Sequence, residues 1–266
     1  MTDRRHRLNK AEGSERIAKV IARAGLCSRR DAERWIADGR VSVNGKMLNT
    51  PAFTVGPNDR VIVDGTPLPA SEAPRLFLYH KPAGLVTTAR DEKKRPTVFA
   101  HLPPGLPRVV SVGRLDINSE GLLLLTNDGG LARYLELPAN ALKRCYRMRL
   151  HGPVNSARLA RLTQGITVDG VRYGPMQARM EGPHSGANLW LVITLKEGKN
   201  REIRRVMEHL GLQVTRLIRT AYGPFELGHL PPGSAVEVPP AALKEKLAGY
   251  FARGSRPPSE NRNWQR

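Results

Sequence analysis

The chain has 266 residues, 40% of them hydrophobic, which is enough to bury the core of one large or two modest globular domains. Its 43 Lys and Arg against 24 Asp and Glu give a formal net charge of +19, which favours a polyanionic partner, with nucleic acid as the leading candidate. No stretch reaches the ~20 consecutive apolar residues of a membrane span, and no apolar signal-peptide core follows the N-terminus, so we expect a cytoplasmic protein.

The two cysteines argue against a disulfide framework and a zinc site. Cys27 and Cys145 are far apart in the sequence, and neither stands at metal-ligand spacing from another Cys or a His. We therefore expect two ordinary buried thiols and no bound metal.

The N-terminal part predicts a small unit of two helices and a short sheet. Folded structure is predicted to begin at Ser14, which caps a first helix, and Ser28 with Asp31 three residues later is typical of the capping box of a second. Asn44–Gly45 between alternating apolar residues predicts a hairpin turn. The unit is expected to span residues 14–65.

Three segments are predicted to lie outside the folded domains. Residues 1–13 are polar and basic without periodicity, which indicates a flexible arm. Residues 66–75 are rich in Pro, Ala and Ser and read as a linker, and residues 254–266 have few apolar anchors and are expected to be a disordered tail.

The remaining residues, 76–253, predict a larger domain in which strands dominate. Its β-type and helical segments alternate irregularly, so we expect an α+β fold with a mostly antiparallel mixed sheet and a site in a cleft across it. The predicted strands include residues 76–79, 146–150 and 189–195, and the predicted helices are residues 156–162 and 202–210.

The most informative segment is the run Gly113–Gly129. Leu122–Leu125 is a continuous apolar run that predicts a strand buried on both faces, and Asn127–Gly129 predicts a turn that closes it. Asp116 follows Arg114 closely and precedes this strand, so its carboxylate can be held rigidly for catalysis. An Asp in such a turn can equally be structural, capping the turn or pairing with a neighbour.

The run Gly113–Gly129 resembles the catalytic motif of the RsuA/RluB-type pseudouridine synthases, which isomerise uridine in ribosomal RNA. The likeness extends over about residues 14–250. It implies a pseudouridine synthase domain that needs no cofactor, in a protein that acts as a monomer. Further blocks that agree with the family, in the same order along the chain, are Tyr79–Gly84, Glu197–Arg205 and Leu217–Arg219.

Ser28–Glu33 and Gly39–Gly45 resemble the RNA-binding module first named in a small-subunit ribosomal protein, the S-four-like module. A helix with several arginines beside a basic hairpin is suited to bind folded RNA, which proteins recognise mostly by its shape and backbone. Docking of a protein partner is the alternative for such a module. The residues predicted to contact RNA here are Arg29, Arg30, Arg34 and Lys46.

The resemblance assigns the central catalytic role to Asp116. The matching family aspartate is essential and is thought to act on the anomeric carbon of the ribose, although attack on the uracil ring has also been proposed. An ionised carboxylate in a cleft needs a cation nearby, and Arg204 occupies the position where the wider superfamily keeps a basic partner. Arg201 and Arg205 compete for this role and are otherwise expected to contact RNA.

Other site residues follow from the same motifs. Tyr146 matches the family tyrosine that stacks on the target base, and Leu217 is predicted to form an apolar wall of the base pocket. For both, an ordinary place in the core is the alternative. Arg114 is predicted to contact the target phosphate or to fill the gap left by the flipped nucleotide, and Lys81 to be structural or a phosphate contact.

The expected function is isomerisation of one uridine in ribosomal RNA. The blocks Arg95–Phe99 and 188–223 resemble the large-subunit branch of the family, which implies a 23S rRNA target near the peptidyl-transferase region, in a free or partly assembled subunit. Two alternatives remain: the same chemistry on small-subunit rRNA, and a ribosome-assembly factor that clamps RNA with a silent domain. A small-molecule enzyme has no phosphate-cradling loop or cofactor motif to support it.

Overall fold

The computed structural model describes residues 14–182 and 188–252, except for the side chain of Asn188. The predicted arm and tail lie outside these residues. By its internal contacts the chain divides into two compact units, one of Met1–Ala73 with Phe251–Arg266 and one of Pro74–Tyr250. No helix in the described ranges has the length and hydropathy to cross a membrane.

Within residues 14–73, the first unit contains two helices and two small sheets. Its strands pair in the order β3-β2-β5-β6, with β1 and β4 forming a separate pair. Buried apolar side chains such as Ile17, Ile36 and Val41 form its core. The elements are β1 Glu15–Arg16, α1 Ile17–Arg23, α2 Arg29–Ala37, β2 Val41–Val43, β3 Lys46–Met47, β4 Thr54–Val55, β5 Val61–Val63 and β6 Thr66–Pro67.

Helix α2 begins as the sequence predicts. The backbone N–H of Asp31 donates to Ser28 Oγ at 3.1 Å, and the N–H of Ser28 donates to Asp31 Oδ2 at 3.3 Å, which completes the capping box. Asn44 and Gly45 both have positive φ, 51° and 79°, as the tight turn between β2 and β3 requires.

Two boundaries in this unit differ from the prediction. Helix α1 begins at Ile17, three residues after Ser14, because Glu15–Arg16 pairs with β4 and extended residues cannot belong to the helix. The sheet also continues into the predicted linker, since β6 Thr66–Pro67 pairs with β5 after a second tight turn. That turn is formed by Asp64–Gly65, which both have positive φ. Asp-Gly is a typical hairpin turn, but the Pro-, Ala- and Ser-rich residues that follow it predicted a linker instead of a strand.

The second unit is built on a nine-stranded mixed sheet, in agreement with the predicted α+β class. The strand order is β13-β14-β10-β15-β9-β7-β17, with β16 on β15 and β8 on β9, and only the β15–β9 pair is parallel. The strands of this unit are β7 Leu76–Lys81, β8 Val110–Ser111, β9 Glu120–Thr126, β10 Arg144–His151, β11 Ile166–Val168, β12 Val171–Tyr173, β13 Met176–Glu181, β14 Asn188–Leu195, β15 Gln213–Tyr222, β16 Phe225–Glu226 and β17 Ala235–Glu237. Of these, β11 and β12 form a separate antiparallel pair outside the nine-stranded sheet. Its α-helices are α3 Gly129–Glu136, α4 Ser156–Arg161, α5 Glu202–His209, α6 Pro240–Lys246 and α7 Ala248–Phe251, the last of which ends at the unit boundary.

Helices α4 and α5 contribute to the main core on one face of the sheet. Leu159 of α4 and Val206 and Met207 of α5 belong to the same apolar cluster as Met148 and Leu191 of the strands. The alternation along β10 and β14 brings these apolar side chains to one face, because successive strand residues point to opposite sides. Tyr146 packs against this cluster and against a second apolar cluster, which includes Tyr79 of β7 and Leu123 of β9.

Strand β9 is the fully buried strand that Leu122–Leu125 predicts, with all four leucines at 0% exposure. The predicted closing turn is wrong. The carboxylate of Asp128 instead accepts hydrogen bonds from the backbone N–H groups of Gly130 and Leu131, at 2.5 and 3.1 Å, and caps α3. It satisfies two donors that a helix N-terminus leaves unpaired, so the chain enters a helix rather than a hairpin.

Candidate active site

The loop of residues 113–119 contains Asp116 and leads into β9, and the side chains of Thr87 and Glu136 hold it by hydrogen bonds. Thr87 Oγ1 donates to the carbonyl oxygen of Leu115 at 2.8 Å and accepts from its N–H at 3.3 Å. The N–H of Gly113 donates to Glu136 Oε1 at 2.6 Å. The buried side chain of Leu115 anchors the loop in the core, while Asp116 next to it stays one third exposed. This loop therefore presents the carboxylate from a fixed backbone.

Lys81 supports the other end of the loop. It is fully buried, and its ammonium group donates to the carbonyl oxygens of Ser119 at 2.8 Å, Pro82 at 3.0 Å and Ile117 at 3.4 Å. Burial lowers the pKa of Lys81 to about 8, against the opposing effect of the Asp116 and Glu120 carboxylates. A phosphate contact is excluded by this burial, so the structural interpretation of Lys81 is the correct one.

A cavity of about 240 Å³ opens above the loop. It brings together six of the residues predicted from the sequence, from segments that are far apart in the chain. Arg205, predicted with them, is exposed and is not part of its lining. The six are Arg114, Asp116, Tyr146, Arg201, Arg204 and Leu217.

The cation nearest to Asp116 is Arg201. Arg201 Nη1 lies 3.8 Å from Asp116 Oδ2, and Arg201 has a left-handed φ of 50° at the start of α5. Arg204, the partner predicted from the sequence, instead donates to the carbonyl oxygens of Val214 at 2.9 Å and Asn118 at 3.2 Å. Arg201 is one of the two residues that compete with Arg204 for this role in the sequence, and the left-handed turn before α5, which helical spacing cannot show, brings it to the carboxylate.

Arg204 nevertheless shares the electrostatic environment of this pair. Burial and the neighbouring Arg201 cation lower the pKa of Arg204, and the Asp116 carboxylate opposes the shift. Its bonds to Asn118 and Val214 tie the loop of residues 113–119 to β15. The carboxylate thus faces two guanidinium groups, one in an ion pair and one held by backbone carbonyls.

The floor of the cavity is one face of β10 and β15. A bulge shifts their register between Cys145 and Tyr146, so that Tyr146 lies opposite Arg219 and Arg144 lies opposite Tyr222. The extra residue brings Arg219 and Tyr222 of β15 to the same face, which regular alternation over three residues would not allow. Leu217 lies on this face as well and is 5% exposed.

Sequence reasoning missed three floor residues. Arg144 donates to Tyr222 Oη at 2.8 Å and to the carbonyl oxygen of Lys196 at 2.6 Å. Tyr222 donates in turn to the carbonyl oxygen of Leu135 at 3.0 Å. Arg219, the last residue of a quoted family block, is 2% exposed and lines the cavity. That block was the available signal for Arg219, whereas the bulge that brings Tyr222 to the same face has no sequence signature.

The four residues predicted to bind RNA in the first unit are all exposed. Arg29, Arg30 and Arg34 lie on α2, and Lys46 lies on β3. Arg34 forms an ion pair with Asp31, so its charge is partly compensated. Among the residues that the structure describes, no cluster of three His, Cys, Asp or Glu is arranged to hold a metal.

The family model described as RNA pseudouridylate synthase matches residues 75–209, and the S4 domain model matches residues 15–61. An uncharacterized RNA pseudouridine synthase of Rickettsia felis is 47% identical over 84% of this chain and 96% of its own length. Ribosomal large subunit pseudouridine synthase B of Haemophilus influenzae is 43% identical over 82% of this chain and 62% of its own length.

A crystal structure of a pseudouridylate synthase shares the fold of the chain. It is 25% identical and has a TM-score of 0.60 over 87% of this chain and 99% of that one. The Asp116 loop and the cavity residues up to Arg204 lie within the region that matches the synthase model. The other cavity residues belong to β15, which follows that region. The chain therefore belongs to the RNA pseudouridine synthases and joins an N-terminal S4 domain to the synthase domain.

Proposed function

We propose that this synthase isomerises one uridine of 23S ribosomal RNA, with Asp116 as the essential carboxylate. The observation that carries the proposal is the meeting of Asp116 with Arg201, Tyr146 and Leu217 in one cavity. The carboxylate acts on the ribose anomeric carbon or on the uracil ring, and either attack requires its ionised form. Arg201 Nη1 lies 3.8 Å from the carboxylate and supplies the opposite charge beside it.

The remaining cavity residues are assigned roles around a flipped uridine. Tyr146 stacks on the base, and Leu217 closes the pocket with an apolar wall that excludes water. Arg114 at the mouth contacts the target phosphate or fills the space that the flipped nucleotide leaves in the stack, which offsets part of an unstacking cost of a few kcal/mol. Arg205, exposed on α5, and the cavity residue Arg201 contact the flanking RNA backbone.

The choice of 23S rRNA is supported by relatives. Enzymes that are 42–43% identical over most of this chain carry the name ribosomal large subunit pseudouridine synthase B. The S4 domain would dock folded rRNA through exposed cations on α2 and β3, and the synthase domain would act near the peptidyl-transferase region. We expect a cytoplasmic monomer that meets its target in a free or partly assembled subunit.

Pseudouridine mapping of both ribosomal RNAs tests this function. RNA from cells lacking the gene would be compared after complementation with the natural chain, Asp116→Asn, or Asp169→Asn as an exposed carboxylate control. We expect one large-subunit pseudouridine to be lost in the deletion and restored by the natural chain and Asp169→Asn only. A small-subunit site would contradict the target, and identical maps in all strains would contradict the ribosomal function.

A further inference from the structure

Arg219 is a buried cation in the cavity floor whose hydrogen bonding is incomplete. Its side chain is 2% exposed, and Nε donates to the carbonyl oxygen of Leu122 at 2.7 Å. Nη2 is buried without a hydrogen-bond partner, and no carboxylate among the described residues forms an ion pair with the guanidinium group. The ring of Tyr222 lies 5.0 Å away and interacts with the cation without neutralising it.

This arrangement is costly unless a ligand completes it. Removing an ion from water is unfavourable, and buried charges are as a rule paired with an opposite charge. Three other arginines that line the cavity are better satisfied. Arg201 pairs with Asp116, and Arg144 donates to backbone carbonyls and to Tyr222. Arg204 also has a buried Nε without a partner, but its two Nη atoms each donate to a backbone carbonyl. Arg219 is thus the floor cation with donor capacity left for a bound molecule.

The position of Arg219 assigns it to the base rather than to the phosphates. It lies directly opposite Tyr146 in the β10–β15 register and two residues after Leu217 on the same face. These two residues are the proposed stacking partner and wall of the uracil. A group beside them at the closed floor of the cavity faces the ring, whereas phosphates remain at the mouth near Arg114.

We propose that Arg219 is a catalytic residue that donates hydrogen bonds to the uracil carbonyl oxygens and stabilises the detached uracil as an anion. The inference rests on the proposed function of the cavity. When the bond between N1 and the anomeric carbon breaks, its electron pair stays on uracil and spreads from N1 to O2 and O4. A fixed cation in a site closed to water is suited to such developing charge.

The remaining steps balance without a further reactant. The turned base forms a bond from C5 to the anomeric carbon, the hydrogen on C5 leaves as a proton, and N1 takes up one proton. Asp116, if it held the ribose covalently, is released with its electron pair as the new bond forms. Arg219 keeps its own protons throughout and is needed most when the base is detached.

Single-turnover kinetics of the full-length protein on a 23S rRNA fragment can test this role. The probe is a fragment with tritium at uridine C5, whose release reports conversion. We expect Arg219→Met to slow conversion by about 100-fold to 1000-fold at saturating enzyme, with little change in RNA affinity. Arg219→Lys keeps a cation but loses the planar guanidinium group, so its rate should lie between those of Arg219→Met and the natural chain. Arg216→Met, an exposed arginine of the same strand, is the matched control.

A second substrate separates charge stabilisation from a structural role. Fluorine at C5 withdraws electrons and makes the detached base a weaker base, so its release depends less on a protein cation. For a fragment with 5-fluorouridine at the target, we expect the rate of substrate consumption to fall less in both Arg219 variants than it does with uridine. A folding or positioning defect would slow both substrates by the same factor.

Each outcome bears on a defined proposal. Equal losses on the two substrates, or an Arg219→Met rate equal to that of the natural chain, would contradict the role of Arg219 alone. No conversion by the natural chain would contradict the proposed function as well. Should Arg219→Met fail to fold, as thermal unfolding would report, the comparison of the two substrates in Arg219→Lys still decides the question.

Discussion

Two carboxyl groups, Glu197 and Glu202, lie side by side next to the cavity and share a hydrogen bond. Burial, and then this contact with Glu197, raise the pKa of Glu202 to about 8. Burial raises the pKa of Glu197, but its net pKa is lowered by three hydrogen bonds, from Glu202, the N–H of Gly174 and the ammonium group of Lys199. Glu197 therefore stays ionised. The pair therefore holds one proton at neutral pH and fixes the segment from which Arg201 approaches Asp116.

The proton on Glu202 predicts a pH dependence of stability. Between pH 4.5 and about 8, the folded protein keeps a proton that the unfolded chain has released. The free energy of unfolding therefore falls as pH rises through this window, by at most about 1.4 kcal/mol per pH unit for one group, and this contribution is level above it. Glu202→Gln stays neutral, so its stability relative to the natural chain should increase from pH 5 to pH 8.

Urea unfolding at several pH values would measure this difference. A Trp35→Phe, Trp264→Phe background leaves Trp190 as the fluorescent reporter of the second unit. Glu208→Gln, an exposed carboxylate on the same helix, is the control and should follow the natural chain. The shared proton is disproved if Glu202→Gln and the natural chain lose stability in parallel over this range.

At the scale of elements, a glycine lies where β9 and β15 pair in parallel, and this pair joins the Asp116 loop to the cavity floor. Gly121 has a φ of 99°, and a Cβ there would lie 2.3 Å from the carbonyl oxygen and 2.7 Å from the nitrogen of Arg219. Both atoms belong to the backbone, so no side-chain rotation can relieve the clash. Only glycine lets the strands meet here, and their pairing joins the Asp116 loop to the strand that carries Arg219.

Gly121→Ala should accordingly damage both stability and catalysis. We expect a loss of about 3 kcal/mol in the free energy of unfolding from the forced separation of the strands and the unfavourable φ. Single-turnover conversion should fall as well, because the loop and the floor move apart. Gly129→Ala at the start of α3 meets no atom within 4 Å and should stay within about 1 kcal/mol of the natural chain. A Gly121→Ala protein with normal stability would show that the strands can separate freely.

The elements also show what sequence patterns can predict. The apolar run of β9, the capping box of α2 and the Asn44–Gly45 turn depend on neighbouring residues, and the structure confirms each of them. The bulge that brings Tyr222 to the face of Arg219 depends on strand pairing, and the ion pair of Arg201 depends on a left-handed residue at the start of α5. The Asp116 motif and the neighbouring blocks thus predict much of the candidate site, while the pairing of Arg201 and the place of Tyr222 in the cavity floor require the fold.

At the scale of the whole molecule, the excess of positive charge bears on how RNA is held before catalysis. The net charge of +19 attracts any polyanion, but a specific docking surface requires cations at fixed positions. Arg29 and Arg30 at the start of α2 are exposed, and α2 is anchored by its capping box and by buried Ala32 and Ile36. They are suited to phosphate contacts that position rRNA without taking part in the reaction.

Replacing Arg29 and Arg30 by Ala should therefore weaken RNA binding and leave the saturated single-turnover rate unchanged. Each lost phosphate contact should lower the slope of log affinity against log salt by about 0.7–0.9, as fewer counterions are released. The double variant Arg158→Ala, Arg161→Ala removes the same charge from exposed positions on α4. Filter binding at several salt concentrations compares the two. An equal effect of both variants would mean that net charge, rather than a docking surface on α2, holds the RNA. A lower saturated rate in the α2 variant would instead give these arginines a part in assembling the active site.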